Sequence, residues 1–466
     1  MRLLKGFSLA AVLTALGLVL GGCGEQEEEL VLRVSNWEEY IDLGDWDEDE
    51  VIELEDGSTI FGENAVINDF EDWYYETYGK KVRVEYSTFG TNEDLYNQLT
   101  IGDEFDLACP SEYMIMKMLR EDMLLPYSEG FYDTTVSENY YVRGVSPYIA
   151  ENMQELNIEG NQLSDYAACY FWGTLGLVYN PSVIDEEDVR SCKLLLNDKY
   201  NRRVTIKDSV RDAYFAAAAM ASYDEITSEE FLNAPDYHER LSEMLNRTDE
   251  ETVEKCQDIL TQAKNNVYSF ETDSGKADLA TGKVVANQQW SGDAVYTMDQ
   301  ASEDGVRLCY SAPEEGTNLW FDGWVLLKSG IGEDEEKRQA AEAFVNFLSR
   351  PDIVIRDMYY VGYTAAVSGG EDDRIFQYVC WNYEAEEDET DTIDYPLGYF
   401  FAGDAEDGDE RYCLSVPIED SRSQVYAQYP PKEVVDRSVI MQCFPDEGNI
   451  RINRMWTNVR CFDLGF

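Results

Sequence analysis

A single histidine, His238, stands in the whole chain, within the polar run Tyr237-His238-Glu239-Arg240. A Ser-His-Asp triad would have to be built on that one residue. Neither a His-Glu-x-x-His nor a Gly-x-Ser-x-Gly motif occurs, so the usual marks of a zinc protease or a serine hydrolase are missing. Positive charge is scarce too: 36 Lys and Arg face 94 Asp and Glu, for a formal net charge of -58. Phosphate binding needs a basic face, which argues against nucleic acid as a partner. None of the ten cysteines forms a Cys-x-x-Cys pair. Past residue 20 no apolar run is long enough to span a bilayer. Carboxylates are plentiful, so a carboxylate-dependent glycosidase is the enzyme class left standing.

What is present points elsewhere. The 466 residues are long for one domain and comfortable for two. Hydrophobic residues make up 44% of them, enough for real cores. Aromatics reach 13%, with 32 Tyr and 9 Trp, a surplus suited to flat or cationic ligands. The acidic surface steers cations toward it. At the N-terminus Arg2 and Lys5 precede an apolar run from Phe7 to Leu20, then Gly21-Gly22-Cys23. That order reads as an export signal over 1–22. Small residues before a cysteine resemble a lipobox, with Cys23 as the lipidated first mature residue and 23–30 as a polar tether. Contact with the membrane is then by lipid anchor only.

Along the mature chain, strands alternate with helices. The pattern predicts strands over 30–34, 81–89, 105–108, 170–179, 204–206 and 284–286, and at Val325-Leu326-Leu327. It predicts helices over 66–78, after Pro110, over 214–220, over 337–349 and over 451–459. Such alternation argues a mainly parallel sheet covered on both faces. Two stretches, 42–62 and 384–410, are strongly acidic and read as solvated insertions. The acids of Asp45-Trp46-Asp47-Glu48-Asp49 alternate as in a calcium loop, but Glu50 stands where an EF-hand needs glycine. No metal and no cofactor is expected.

Aromatic and acidic residues recur together beside the predicted strand ends: Trp37 and Tyr40, Ser111 and Tyr113, Asp208 and Asp212, Trp290 and Asp293, Trp320 and Asp322. In open α/β sheets ligands bind at strand ends. An alkyl diamine needs aromatic walls for its methylenes and a carboxylate for each ammonium. Taken singly, any one Trp is most simply a core residue and any one Asp a turn or cap. The recurrence is what carries the functional reading.

The motifs Ser35-Asn36-Trp37-Glu38-Glu39-Tyr40, Glu85-Tyr86-Ser87-Thr88-Phe89, Pro110-Ser111-Glu112-Tyr113, Tyr170-Phe171-Trp172-Gly173, Trp290-Ser291-Gly292-Asp293, Asn318-Leu319-Trp320-Phe321-Asp322 and Gly362-Tyr363-Thr364 fit together in order and spacing. On them the chain resembles the spermidine/putrescine-binding proteins of bacterial ABC importers. The resemblance implies an α/β fold of the two-lobe type II periplasmic-binding class. Each lobe would be a mainly parallel sheet flanked by helices, and hinge crossover strands would join the two. It divides the chain into lobe 1 over 31–169, lobe 2 over 170–319, a return to lobe 1 over 320–370, an acidic insertion over 371–428 and a return to lobe 2 over 429–466.

By the same resemblance Trp320 and Trp290 sandwich an alkyl chain and Asp322 anchors an amine. Trp37, Tyr40, Ser111 and Tyr113 contribute from the first lobe. Asp212 supplies an acid at the opposite end, and Asp293 matches the acid of putrescine-type members. Tyr363 is a wall residue near the hinge, and Gln442 a polar contact near the C-terminus. Ser209 departs from the pattern where spermidine binders carry an acid, and Asp208 next door is the candidate substitute. The implied function is that of a monomeric, lipid-anchored binding subunit on the outer face of the cytoplasmic membrane. It would pass a polyamine to an ABC permease and, through it, its ATPase. The alternatives are the same fold with another small cation, an amino acid or a sugar, or an exported glycosidase.

Overall fold

The computed structural model describes residues 29–47, 49–272, 274–386, 388–403 and 410–461. The export segment and Cys23 lie outside the described residues. Two long strands form the spine. Ala167–Tyr179 is buried at all 13 positions and Thr317–Leu327 at all 11. A strand buried on both faces carries a continuous apolar run instead of an alternating one, and Ala167–Tyr179 has that composition. The two pair antiparallel from Leu319 opposite Thr174 to Val325 opposite Ala167.

They occupy the middle of a 12-stranded sheet. To one side lie Leu107–Ala108, Leu30–Trp37 and Val82–Phe89, with Leu30–Trp37 parallel to both neighbours. To the other lie Ala286–Trp290, Val204–Lys207 and Ser269–Glu271, with Val204–Lys207 again parallel to both. Each half is therefore mainly parallel, and antiparallel crossover strands join the halves. Helices cover the outer faces. In the first half Val66–Tyr78 buries Val66, Phe70 and Tyr74 at helical spacing. The Phe70 ring meets Phe344 of helix Glu335–Leu348 edge-on at 4.9 Å. In the second half the alanine-rich helix Val210–Ala221 joins Cys256 and Leu260 of helix Glu250–Asn266 in one core.

The strand expected at Val325 begins at Thr317. Trp320 and Asp322 therefore lie inside a crossover strand, not beyond the end of one. Every position there is enclosed, so neither alternation nor a flanking turn marks where it starts. The acidic stretches also differ from solvated loops. Between 42 and 62 a hairpin pairs Ile52–Glu53 with Thr59–Ile60, and Trp46, Ile52, Leu54 and Ile60 are buried. Between 384 and 410, Thr392–Pro396 pairs with Cys413–Pro417, and Tyr395, Tyr399, Phe400 and Phe401 enter the main core. The abundance of acids hides an apolar face in both.

Asp42 fastens the first of these segments. It is fully buried, and its carboxylate accepts from Arg356 Nε (2.8 Å), the Trp46 indole N–H (3.0 Å) and the Gly44 amide (2.8 Å). Arg356 also donates to Asp69 (2.6 Å) and to the Asn64 carbonyl (2.6 Å). Removing one partner of a buried pair leaves the other charge uncompensated, at a cost of about 3–5 kcal/mol. Arg356→Met is expected to lower unfolding stability by about that much, measured by urea denaturation.

Candidate functional site

The spine sets the geometry of the candidate site. Along Ala167–Tyr179, residues 171, 173 and 175 point to one face. Their paired partners are Asp322, Trp320 and Trp290, from the two strands that flank it. Directly paired residues share a face, so the register alone brings the two indoles and the acid together. Just past Asp322 the pairing slips, with Gly323 opposite Cys169 so that Tyr170 is skipped. Bulges of this kind re-aim side chains beside functional sites. Here the Asp322 backbone turns to bridge Ser111.

Asp322 is almost wholly buried and is held by two hydroxyls. Ser111 Oγ donates to its Oδ1 at 2.7 Å and the Tyr40 phenol to its Oδ2 at 2.6 Å. Burial pushes its pKa up to about 6, against the pull of those two hydrogen bonds. Helix Asn92–Ile101, capped by Thr91, brings Asn92 into this group. The Asn92 amide donates to Ser111 Oγ and to the Tyr113 phenol, both at 3.0 Å, and accepts from the Ser111 N–H. Glu112, at the first turn of the next helix, is 2% exposed and accepts from the Phe321 amide at 3.3 Å. Burial and then the nearby Asp322 raise its pKa far above the usual carboxylate range.

The far side of the site is built at two helix N-termini, where the macrodipole favours acids. Asp212 lies in the first turn of Val210–Ala221 and its amide donates to the Ser209 hydroxyl. Burial raises its pKa, opposed by Ser209, by Lys207 and by a hydrogen bond from the Trp290 indole. Asp293 lies in the first turn of Ser291–Glu303 and is ion-paired with Lys207 (3.1 Å) and Lys276 (2.8 Å). Burial alone would raise its pKa, but the two lysines outweigh it and hold the carboxyl below its ordinary value. Lys207 Nζ also sits 3.9 Å from the centre of the Trp290 ring.

Tyr363 joins the two sides. Its ring meets Tyr40 edge-on at 5.4 Å and lies 5.5 Å from Trp320, while its hydroxyl donates to Asp293 at 3.2 Å. Two glycines make room for these rings. A Cβ at Gly173 would fall 2.2 Å from Ser291 Oγ and 2.6 Å from Trp320. One at Gly292 would fall 1.5 Å from Tyr363 Cδ1.

Tyr40, Ser111, Tyr113, Asp212, Trp290, Asp293, Trp320, Asp322 and Tyr363 thus form one connected group. The other three candidates lie outside it. Trp37 packs on Phe89 at 4.7 Å. Asp208 is exposed and pairs with Arg460 at 2.7 Å. The Gln442 side chain is exposed, and its carbonyl accepts from Arg211, whose guanidinium stacks 4.0 Å from the Tyr113 ring. The sequence reading passed over Glu112, Lys207, Lys276 and Arg211. Glu112 stood inside a quoted motif. The three cations carry no mark in the sequence, where a lone lysine or arginine most simply faces water. Among the described residues no cluster of His, Cys, Asp and Glu is arranged to hold a metal, and no helix is long and apolar enough to cross a membrane.

Comparison with known proteins places the chain in a family. A profile of bacterial extracellular solute-binding proteins matches residues 65–373, and the chain belongs to that family. It is similar to a putrescine/agmatine-binding protein of Pseudomonas aeruginosa, with 27% identity over 45% of this chain. The chain spans only about half (53%) of that relative's length. Against the putrescine-binding periplasmic protein PotF of Escherichia coli the identity is 24%, over 61% of this chain and 71% of the relative. Among solved structures, the spermidine/putrescine substrate-binding protein PotD of Streptococcus pneumoniae superposes with a TM-score of 0.60 at 21% identity, covering 92% of this chain and 98% of that one. The fold is that of the two-lobe type II periplasmic binding proteins.

Gly292→Ala is expected to displace the Tyr363 ring and break its hydrogen bond to Asp293. The cost of overpacking is about 1–3 kcal/mol in a thermal or urea melt.

Proposed function

We propose that the protein is the extracytoplasmic binding subunit of an ABC importer and captures a polyamine in the interlobe cleft. One observation carries the reading: a buried carboxylate, Asp322, held among the described residues by hydroxyls alone and sharing a face with the Trp320 and Trp290 indoles. A buried carboxylate without a counter-ion is costly, and an arriving ammonium removes that cost. Indole faces cover the methylenes next to it and attract the cation itself, for about 2 kcal/mol when dry. The relatives in Pseudomonas aeruginosa and Escherichia coli are named for putrescine and agmatine, which are ligands of this chemistry. The chain acts on this reading as a binder and not as an enzyme. Cys23 tethers it to the outer face of the cytoplasmic membrane, and the loaded form docks on a permease driven by an ATPase. Hinge closure about the two spine strands encloses the ligand.

A thermal-shift screen of polyamines, their acyl derivatives, amino acids and sugars tests the reading. A polyamine or its derivative should raise the melting temperature. A response confined to sugars or α-amino acids would refute the proposal. Trp320→Ala or Asp322→Ala should weaken binding by roughly 2–5 kcal/mol, enough to abolish the shift.

The reading also fixes a pH dependence. An ammonium binds the ionised form of Asp322, whose pKa without ligand is about 6. Above that value the carboxylate is ready and affinity is flat. Below it a proton must leave first, so affinity falls about tenfold per pH unit. Calorimetry at pH 7.5 and pH 5 should show about a tenfold loss at the lower value, and Asp322→Asn should remove the dependence.

A further inference from the structure

The acids of the cleft are not equivalent. Among the described residues no lysine or arginine forms an ion pair with Asp322, whose carboxylate oxygens accept from Ser111 and Tyr40. Asp293 is in the opposite state. Lys207 reaches its Oδ2 at 3.1 Å and Lys276 its Oδ1 at 2.8 Å. The Lys207 side chain is 1% exposed. Its ammonium also donates to the Thr272 carbonyl at 3.0 Å and lies 3.9 Å from the centre of the Trp290 ring. Carboxylate, carbonyl and aromatic face are the set of partners a buried ammonium needs. On the reading that the second amine of a diamine would go beside Asp293, the protein's own side chain already has all three there. A second ligand ammonium there would meet Lys207 and Lys276 with Asp293 already neutralised, and like charges in a dry site repel strongly.

We propose that Lys207 determines specificity by filling the second ammonium subsite, so that the cleft prefers an alkylamine with one ammonium and a carbonyl oxygen at its far end. The inference rests on the reading that Asp322 and Trp320 hold a ligand ammonium. The far-end oxygen then accepts from the lysine ammonium groups. Two chemistries offer such an oxygen, an amide and a carboxylate.

Isothermal titration of the full chain at pH 7.5 with putrescine, N-acetylputrescine and 4-aminobutyrate distinguishes them. The wild-type protein is expected to bind N-acetylputrescine or 4-aminobutyrate at least about tenfold more tightly than putrescine. Whichever of the two is tighter identifies the far group. In Lys207→Met, which keeps an unbranched side chain one atom shorter and without the charge, the preference should move toward putrescine by about tenfold or more. The wild-type ratio needs no variant, so a misfolded mutant does not rescue the idea. Putrescine bound as tightly as the masked amines overturns it, as does a folded Lys207→Met protein with an unchanged ratio. Both results leave the amine-binding reading standing. If the wild-type protein binds no amine at all, that reading fails and this inference falls with it.

Discussion

The antiparallel pairing of Ala167–Tyr179 with Thr317–Leu327 is the constraint on which the remaining structure depends. It joins the two half-sheets, since one half continues from one spine strand and the other half from its partner. It also sets which side chains meet. A slip of one residue would turn Trp320 and Asp322 to the opposite face and leave Tyr40 and Ser111 facing Phe321. The irregularity beside Gly323 is confined to the point where Asp322 must turn toward Ser111. Burial along both strands protects this register, because any other pairing would expose apolar side chains or bury unmatched polar ones.

Charge is distributed by the same logic. A surplus of acid over the whole chain says little about any one carboxylate, and the buried ones differ according to their partners. Asp42 is matched by Arg356. Asp357 accepts from the Tyr170 phenol and the Asp42 amide, and burial lifts its pKa to about 7. Asp293 is matched twice by lysine, while among the described residues Asp322 has hydroxyl donors alone. The buried acids thus form a graded series, with Asp293 held low and Asp322 raised. Long-range attraction by the acidic surface raises the local concentration of any cation. On the proposed function, the short-range contrast between Asp322 and Asp293 decides which end of the site that cation meets.

Much of the fold could be read from the sequence, and the reasons are specific. The helices Val66–Tyr78 and Glu335–Leu348 pack one face, so their apolar spacing marks them. The strand Val82–Phe89 has one solvated face and alternates. Thr317–Leu327 has no such pattern, because enclosure on both sides removes the alternation. The two acidic segments misled for a different reason. Glu and Asp dominate the composition of both and mask the residues that anchor them, Trp46 in the first and the run Tyr399-Phe400-Phe401 in the second. Within the site, the aromatic and acidic residues stood out by type. Lys207 did not, because a lysine at the end of a strand usually faces water. Only the fold shows that this one turns inward.

Tyr363 follows Gly362, the left-handed cap that ends helix Pro351–Val361. That helix also carries Arg356 and Asp357, which hold the segment around Asp42. A single rigid rod therefore ties an outlying acidic flap to the aromatic ring that touches both walls of the cleft. Parting the walls must exchange that ring's contacts for solvent on at least one side.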